Sequence, residues 1–366
     1  MNAHIFIFLG ILFSITSQSQ KYSKEYNKLH EYIISNGGYI NPKLIPNEIS
    51  KTNRYIMTSQ KIYRNEKLLY IPDKVSLSII HKLIFRKCLE AYSQEEDSEF
   101  DCLVYFMTID KYNSSSFFKP YYDYLPKLIK SDFITDFSQE EIKLYKDIGI
   151  TQGIESYNRF YKKAFEPVEQ KLKIFSEKNK IKYEEILNEF EYNFNLVATR
   201  NFGRPGSYYD HSTMVPFLDL INHSDNNNTY WYYEDLNMGY TLIAGRDIEQ
   251  NEEIVDLYGK YHNSYLYITY GFVIPGNKYH EYVNINIKEE SYRLHEDYMN
   301  SIIKNIFDKL KIKNKKEKQY VIECLNEKIK YYLDVRNKCN RFNLKVIIDE
   351  HIDLINKAID KVKKHY

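Results

Sequence analysis

The spacing of apolar residues changes character twice along the chain. Between about 21 and 85 a short helix gives way to strands, and "KLLYIPDKVSLS" (67–78) predicts a strand, a Pro-marked turn and a second extended piece. From about 82 to 200 the spacing is mostly helical. "CLVYFMTIDKY" (102–112) is too apolar for a surface helix, Phe165, Val168, Leu172 and Phe175 recur at helical spacing, and so do Ile186, Leu187, Phe190, Phe194 and Val197. After Arg200 strand patterns return. "TYWYYEDLNMGYTLIAG" (229–245) predicts two strands joined at Asn237-Met238-Gly239, and "EEIVDLYG" (252–259) and "YVNINI" (282–287) predict two more. Val283, Ile285 and Ile287 alternate with polar residues, as a one-sided strand requires. From about 291 helical spacing resumes: Ile302, Ile303, Ile306 and Leu310, then Val321, Leu325 and Ile329, then Ile347 to Val362. Strands, a long helical insert, strands and a helical tail predict an α+β fold whose strand pieces form one unit.

A chain of 366 residues suffices for one large domain or two smaller ones. Its formal net charge of +1 gives no global drive toward nucleic acid or an anionic membrane. The lysine-dense "KLKIKNKKEKQ" (309–319) reads as a solvated face, because no aromatic residues interleave it as a nucleic-acid surface would need. Cys88, Cys102, Cys324 and Cys339 lack the Cys-x-x-Cys spacing of a zinc or redox site, and they are expected to be buried or free thiols, with disulfides the alternative that the apolar N-terminus keeps open. No metal site is predicted. The uncharged run "IFIFLGILFSI" (5–15) is too short for a comfortable membrane span. It fits the core of a cleavable signal peptide over residues 1–20, with cleavage among Thr16, Ser17 and Ser19, although a basic segment before it is missing. The other reading is an apolar first helix. A signal would send the chain into the secretory pathway; without one it belongs in the cytoplasm or nucleus.

Candidate chemistry concentrates in one place. No Gly-rich phosphate loop, Gly-x-Ser-x-Gly elbow or His-Glu-x-x-His helix occurs. The apolar run in "VPFLDLINHSDNNN" (215–228) instead ends in Asp219, Asn222 and His223, three groups rich in hydrogen-bonding capacity.

That stretch, followed by "YGKYHNSYLYITYGFV" (258–273), resembles the SET-domain methyltransferases, and within them the branch of the Rubisco large-subunit lysine methyltransferase and the actin-histidine methyltransferase. "SQKIYRNEKLLYIPDKVSLS" (59–78) is similar to the branch's first strand pair. "CLVYFMTIDKYNSSSFFKPYYDYLP" (102–126) is similar to its helical insert, and "FEYNFNLVATRNF" (190–202) to the helix that leads into its catalytic half. The resemblance covers about 50 to 290. It implies a SET domain over 21–290 with a helical insert at about 82–200, and a short helical substrate-docking-like domain over 291–366.

The resemblance also assigns roles. It implies S-adenosylmethionine as cofactor, with Asn222 and His223 at a pseudoknot crossing where they meet its amino group and adenine. Arg200 would pair with its carboxylate. Asp219, Tyr258, Asn263 and Phe272 complete the implied cofactor site. Tyr258 and Tyr270 are the implied catalytic tyrosines of a narrow channel in which a neutral amine meets the methyl group in line. Two departures stand out. The Gly-x-Gly expected before the first strand is replaced by "TNRYIM" (52–57), where a side chain could close the pocket. The expected bend after the hairpin reads "QNEE", with Asn251 able to take a left-handed turn.

The acceptor is read from Phe202 and Leu218. Both are apolar, as in the lysine-modifying members, and a lysine stem slides along apolar walls whereas an imidazole needs a polar partner. The expected activity is therefore protein-lysine N-methylation, with a protein substrate as partner and neither nucleic acid nor a membrane span. A protein-histidine methyltransferase and a non-catalytic SET-fold binding module are the alternatives.

Overall fold

The computed structural model describes residues 22–48, 54–92, 99–126, 137–203 and 212–364. The apolar run at 5–15 lies outside the described residues.

Helix α1 (Lys24–Ser35) is capped by Ser23, whose hydroxyl accepts from the Tyr26 N–H at 3.1 Å. The short strands β1 (Tyr39–Ile40), β2 (Leu44–Glu48) and β3 (Arg54–Thr58) follow, and then β4 (Lys67–Pro72). The insert is helical, as its spacing predicts: α2 (Lys82–Ala91), α3 (Glu99–Asp110), α4 (Lys119–Tyr124), α5 (Gln139–Leu144), α6 (Ile150–Phe165), α7 (Glu169–Asn179) and α8 (Tyr183–Arg200). Helix α3 is buried on nearly every face because α2 and α8 pack against it. It is linked to α2 by a disulfide between Cys88 and Cys102, which corrects the expectation of four thiols; Cys324 and Cys339 are free. The two cysteines meet because α2 and α3 pack side by side, a tertiary fact that no sequence spacing encodes.

Beyond α8 come β5 (Asn201–Phe202), β6 (Thr213–Met214), β7 (Asn222–His223), β8 (Thr229–Glu234), β9 (Gly239–Ala244) and β10 (Val255–Asp256). Strands β1, β4, β9 and β8 form one antiparallel sheet in that order. The β8–β9 turn passes through Met238 at φ +52° into Gly239, where an added Cβ would lie 2.7 Å from the Ile71 carbonyl oxygen. Asn251 takes the left-handed turn expected of it, at φ +64°. The pairs β2–β3 and β5–β6 are antiparallel, whereas β7 and β10 run parallel, with Asn222 opposite Val255 and His223 opposite Asp256. The strand pattern at 252–259 thus shrinks to two residues, because the Tyr258 N–H bonds to the His223 side chain instead of continuing a ladder.

Helix α9 (Asn263–Tyr270) leads to a hairpin of β11 (Tyr282–Ile287) and β12 (Glu290–His295), then α10 (Met299–Leu310), α11 (Lys315–Lys338) and α12 (Phe342–Lys364). The helical tail therefore starts at 299, not near 291. Tyr292 and Leu294 are buried with a period of two, and that period makes 290–295 a strand. Two hydrophobic cores result. One fills the space between the four-stranded sheet, α1 and the insert; the other joins β11, β12 and the last three helices to Ile148, Ile150 and Ile154 of the insert. Among the described residues no helix is long and apolar enough to cross a membrane.

Candidate functional site

The parallel β7–β10 pair draws three segments together. Asn222 Nδ2 donates to Glu253 at 2.9 Å and to the Arg54 carbonyl at 3.4 Å. His223 is nearly covered, and its Nδ1 accepts the Tyr258 N–H at 3.0 Å. In a neutral ring the proton then sits on Nε2, which faces Asp225 at 3.6 Å. Burial lowers the His223 pKa against the opposing pull of Asp225, so the ring is neutral near pH 7. The Tyr258 hydroxyl returns the contact by donating to the Ile221 carbonyl at 2.8 Å. Tyr258 and Tyr270 stand 5.1 Å apart by ring centroids, and Phe272 closes the group at 6.1 Å from Tyr270 and 5.9 Å from His223.

A charged cluster lies beside this aromatic group. Arg200, the last residue of α8, donates through Nη1 to the Asp219 carbonyl at 2.5 Å and lies 3.5 Å from its Oδ2. Asp219 also accepts the buried Tyr121 hydroxyl at 3.0 Å. Burial raises the Asp219 pKa, while Arg200 and then the Tyr121 bond pull it back. Arg54 spreads over the Tyr124 ring at 4.5 Å and donates through Nη1 to the Tyr124 carbonyl. Among the described residues, Arg54 Nη2 and Asp219 Oδ1 are buried atoms of this cluster that have no hydrogen-bond partner. Native proteins rarely leave such groups unpaired without a ligand or water.

The SET domain family model matches residues 53–259. The chain belongs to the SET domain family. Among solved structures it is similar to the SET domain of LSMT bound to lysine and AdoHcy, at TM-score 0.62 and 13% identity, covering 93% of this chain and 91% of that one. Rubisco LSMT bound to sinefungin and monomethyllysine is similar at TM-score 0.62 and 15% identity, covering 94% of this chain and 92% of that one. Rubisco LSMT bound to AdoMet is similar at TM-score 0.61 and 14% identity, with the same coverage. At these identities the likeness shows the fold. No curated protein sequence matches the chain.

Within this SET domain the residues singled out from the sequence separate into three groups. Arg200, Asp219, Asn222, His223, Tyr258, Tyr270 and Phe272 lie on the β7–β10 crossing or against it. Leu218 is buried in the first core directly before Asp219, and Phe202 packs on Trp231 and Tyr240 at 5.4 and 6.3 Å. Asn263 stands apart. Its Nδ2 donates to the Ile274 carbonyl at 2.9 Å and to Glu350 at 2.6 Å, and its Oδ1 accepts from the Ile274 N–H and Asn277 Nδ2 at 2.8 and 3.3 Å. Both donors and both acceptor positions are used, so this side chain has nothing left for a cofactor. Its work is to bind α9 to the following loop and to α12.

Four participants were not picked out from the sequence. Arg54 occupies the stretch that lacks the expected glycines, so the signal was present as an absence. Tyr121, Glu253 and Asp256 carried none; Asp256 is buried on β10, which pushes its pKa up to about 6.

Proposed function

We propose that the chain is an S-adenosylmethionine-dependent protein-lysine N-methyltransferase. The observation that carries this reading is the Tyr258–Tyr270 pair packed on the Asn222–His223 strand, beside a cluster that holds a buried unpaired donor and a buried unpaired acceptor. The amino-acid end of S-adenosylmethionine bears one carboxylate and one ammonium. Arg54 Nη2 and Asp219 Oδ1 match that pair of charges, and Arg200, which among the described residues bonds through Nη1 alone, has further N–H groups for the carboxylate. When bound, the cofactor supplies a methyl group already activated on a sulfonium. The solved relatives, described as bound to AdoMet, AdoHcy, lysine and monomethyllysine, support the same assignment.

The protein's own task is alignment. Tyr258 donates its hydroxyl proton to Ile221, which leaves oxygen lone pairs to accept weak C–H···O contacts from a methyl group in the channel. Burial pushes its pKa up to about 12, so it orients the reactants as a neutral phenol and does not serve as a base. Tyr270, also raised by burial, forms the second wall. The apolar Phe202 and Leu218 favour a lysine stem over an imidazole acceptor. The test is transfer of radioactive methyl from S-adenosylmethionine to lysine-containing peptides, followed by hydrolysis and identification of the labelled amino acid. Methyl-lysine is the expected product. Methyl-histidine would overturn the acceptor, and tight cofactor binding without any label would leave a binding module.

The compartment we propose is the secretory pathway, supported by the apolar run at 5–15 and the Cys88–Cys102 disulfide. N-terminal sequencing of protein from its native cell should find a mature chain starting after Thr16 to Ser19. A chain beginning at Met1 or Asn2 would contradict it.

A further inference from the structure

The lysine-dense run at 309–319 does not lie on an isolated helix face. Lys311 ends α10 in the left-handed region at φ +53°, and the Ile312 N–H returns to the Phe307 carbonyl at 2.9 Å, which turns the chain into α11. Asn314 and Glu317 form a capping box there. Helices α11 and α12 then run antiparallel: Lys318 Nζ donates to the Lys363 carbonyl at 3.1 Å, and Arg336 pairs with Asp349 at 2.9 Å. Between them and the end of α10 lies a groove of about 1210 Å3. Lys315, Ile322 and Asn326 line it from α11 at helical spacing, one stripe roughly 16 Å long. Asn356, Ile359 and Lys363 answer from α12. Phe307 and Ile312 complete an apolar floor.

The groove is polarised along its length. Its mouth, where α11 starts and α12 ends, is basic: residues 308–323 and 360–364 hold nine lysines against Asp308, Glu317, Glu323 and Asp360. Partners do not cancel that excess. Lys309 pairs with Glu290 at 3.0 Å and Lys363 with Asp360 at 3.8 Å, and the Glu317 carboxylate accepts the backbone N–H groups of Lys313 and Asn314. Among the described residues no carboxylate pairs with the side chain of Lys313 or Lys315, and both are exposed. The other end is lined by the amides of Asn326 and Asn356. An apolar floor with one basic end selects the occupant. A nucleic acid would need exposed rings to stack on, and Phe307, the ring in the lining, is 5% exposed. A flat membrane surface cannot reach the floor between helices, and a lipid tail would set hydrocarbon against two amides. An extended peptide would leave backbone N–H and C=O groups facing isoleucine. A helix satisfies its own backbone, and a groove of this length between two helices takes about eleven residues of one.

We propose that this groove docks an amphipathic helix of a partner polypeptide, about eleven residues long, with an apolar face and with aspartate or glutamate at the end that meets the lysines. Methyl transfer has no part in this contact. The test selects phage-displayed amphipathic peptides of about 20 residues, long enough to hold a helix, on the immobilised full chain. Apolar positions are fixed at helical spacing, and the other positions vary among aspartate, lysine, asparagine and alanine. Selected peptides should carry aspartate at one end and no lysine there. The tightest of them, measured by fluorescence anisotropy, should bind about tenfold or more weakly to the double variant Lys313→Glu, Lys315→Glu. It should lose binding when its sequence is scrambled at constant composition. Both lysines are exposed, and circular dichroism should show the double variant folded. Ile322→Asp, which charges the floor, should weaken binding likewise. Selection of peptides without an acidic end, no selection at all, equal binding by the scrambled peptide, or an affinity unchanged in the lysine variant overturns the proposal. So does sedimentation of the chain with phosphatidylserine vesicles in the absence of peptide binding.

Discussion

Asn222 and Asn263 are two asparagines that both sit at the meeting point of separate chain segments, yet their surroundings differ in kind. At Asn263 every hydrogen-bonding position is filled by protein: two donors to Ile274 and Glu350, two acceptor positions to Ile274 and Asn277. Around the β7–β10 crossing that carries Asn222, the account does not close, and among the described residues nothing pairs with Arg54 Nη2 or Asp219 Oδ1 in the interior. A buried polar group left open costs about 1–3 kcal/mol, so a fold keeps one where a ligand completes it. Saturation marks a structural joint, and an open valence marks a site.

The widest separation between the two regions should come from Arg200→Met. It removes the cation beside Asp219 and the N–H groups offered to a carboxylate, and we expect S-adenosylmethionine affinity to fall 100-fold or more, about 3 kcal/mol. Circular dichroism must show the variant folded, since Asp219 is left buried without its partner; an unchanged affinity in a folded variant would move the cofactor elsewhere. Next in size is Tyr258→Phe. Loss of one hydroxyl that acts on the reacting methyl should lower kcat by roughly 10- to 100-fold with cofactor Kd changed by less than about threefold, the pattern of an interaction made in the transition state. Equal losses in kcat and affinity would make Tyr258 a binding residue only.

Asn263→Ala should do the reverse of Arg200→Met. It opens the joint between α9, its loop and α12, so stability in urea should drop by about 1–3 kcal/mol while cofactor affinity in the folded protein stays put. A loss of affinity without a loss of stability would restore Asn263 to the cofactor site. The last effect concerns pH. Asp256 is buried and its pKa rises to about 6 from an ordinary 3.8, so between those values the folded chain holds a proton that the unfolded chain has released. Stability from this group is therefore full below about pH 4 and declines as pH rises toward 6, by no more than about 3 kcal/mol, the linkage equivalent of that shift. Asp256→Asn should remove that decline; an unchanged pH slope would mean that the group titrates normally.

Much of this architecture was legible in the sequence because it rests on periodicity. The helical insert, the alternation of Val283, Ile285 and Ile287 and the tail helices all follow from spacing. The Asp219–His223 cluster was legible because polar groups ending an apolar run are chemically unusual. Other features depended on contacts between distant segments. The pattern at 252–259 looked like a full strand, but the pull of His223 on the Tyr258 N–H ends it at Asp256. Residues 290–295 looked like the approach to a helix because their two buried residues, Tyr292 and Leu294, are too few to declare a period. Motif order pointed Asn263 at the cofactor; only Glu350, 87 residues later, reveals what its amide does. Cys88 and Cys102 needed the packing of α2 on α3 before they could be paired.

The contrast between the open crossing and the closed joint is tested most directly by one calorimetric titration of S-adenosylmethionine into the full-length chain, with Asn263→Ala and Arg200→Met run alongside. The account predicts one site per chain, the same affinity in Asn263→Ala, and a loss of 100-fold or more in Arg200→Met. No binding by the unmodified chain, or binding that fails in Asn263→Ala and survives in Arg200→Met, would contradict it.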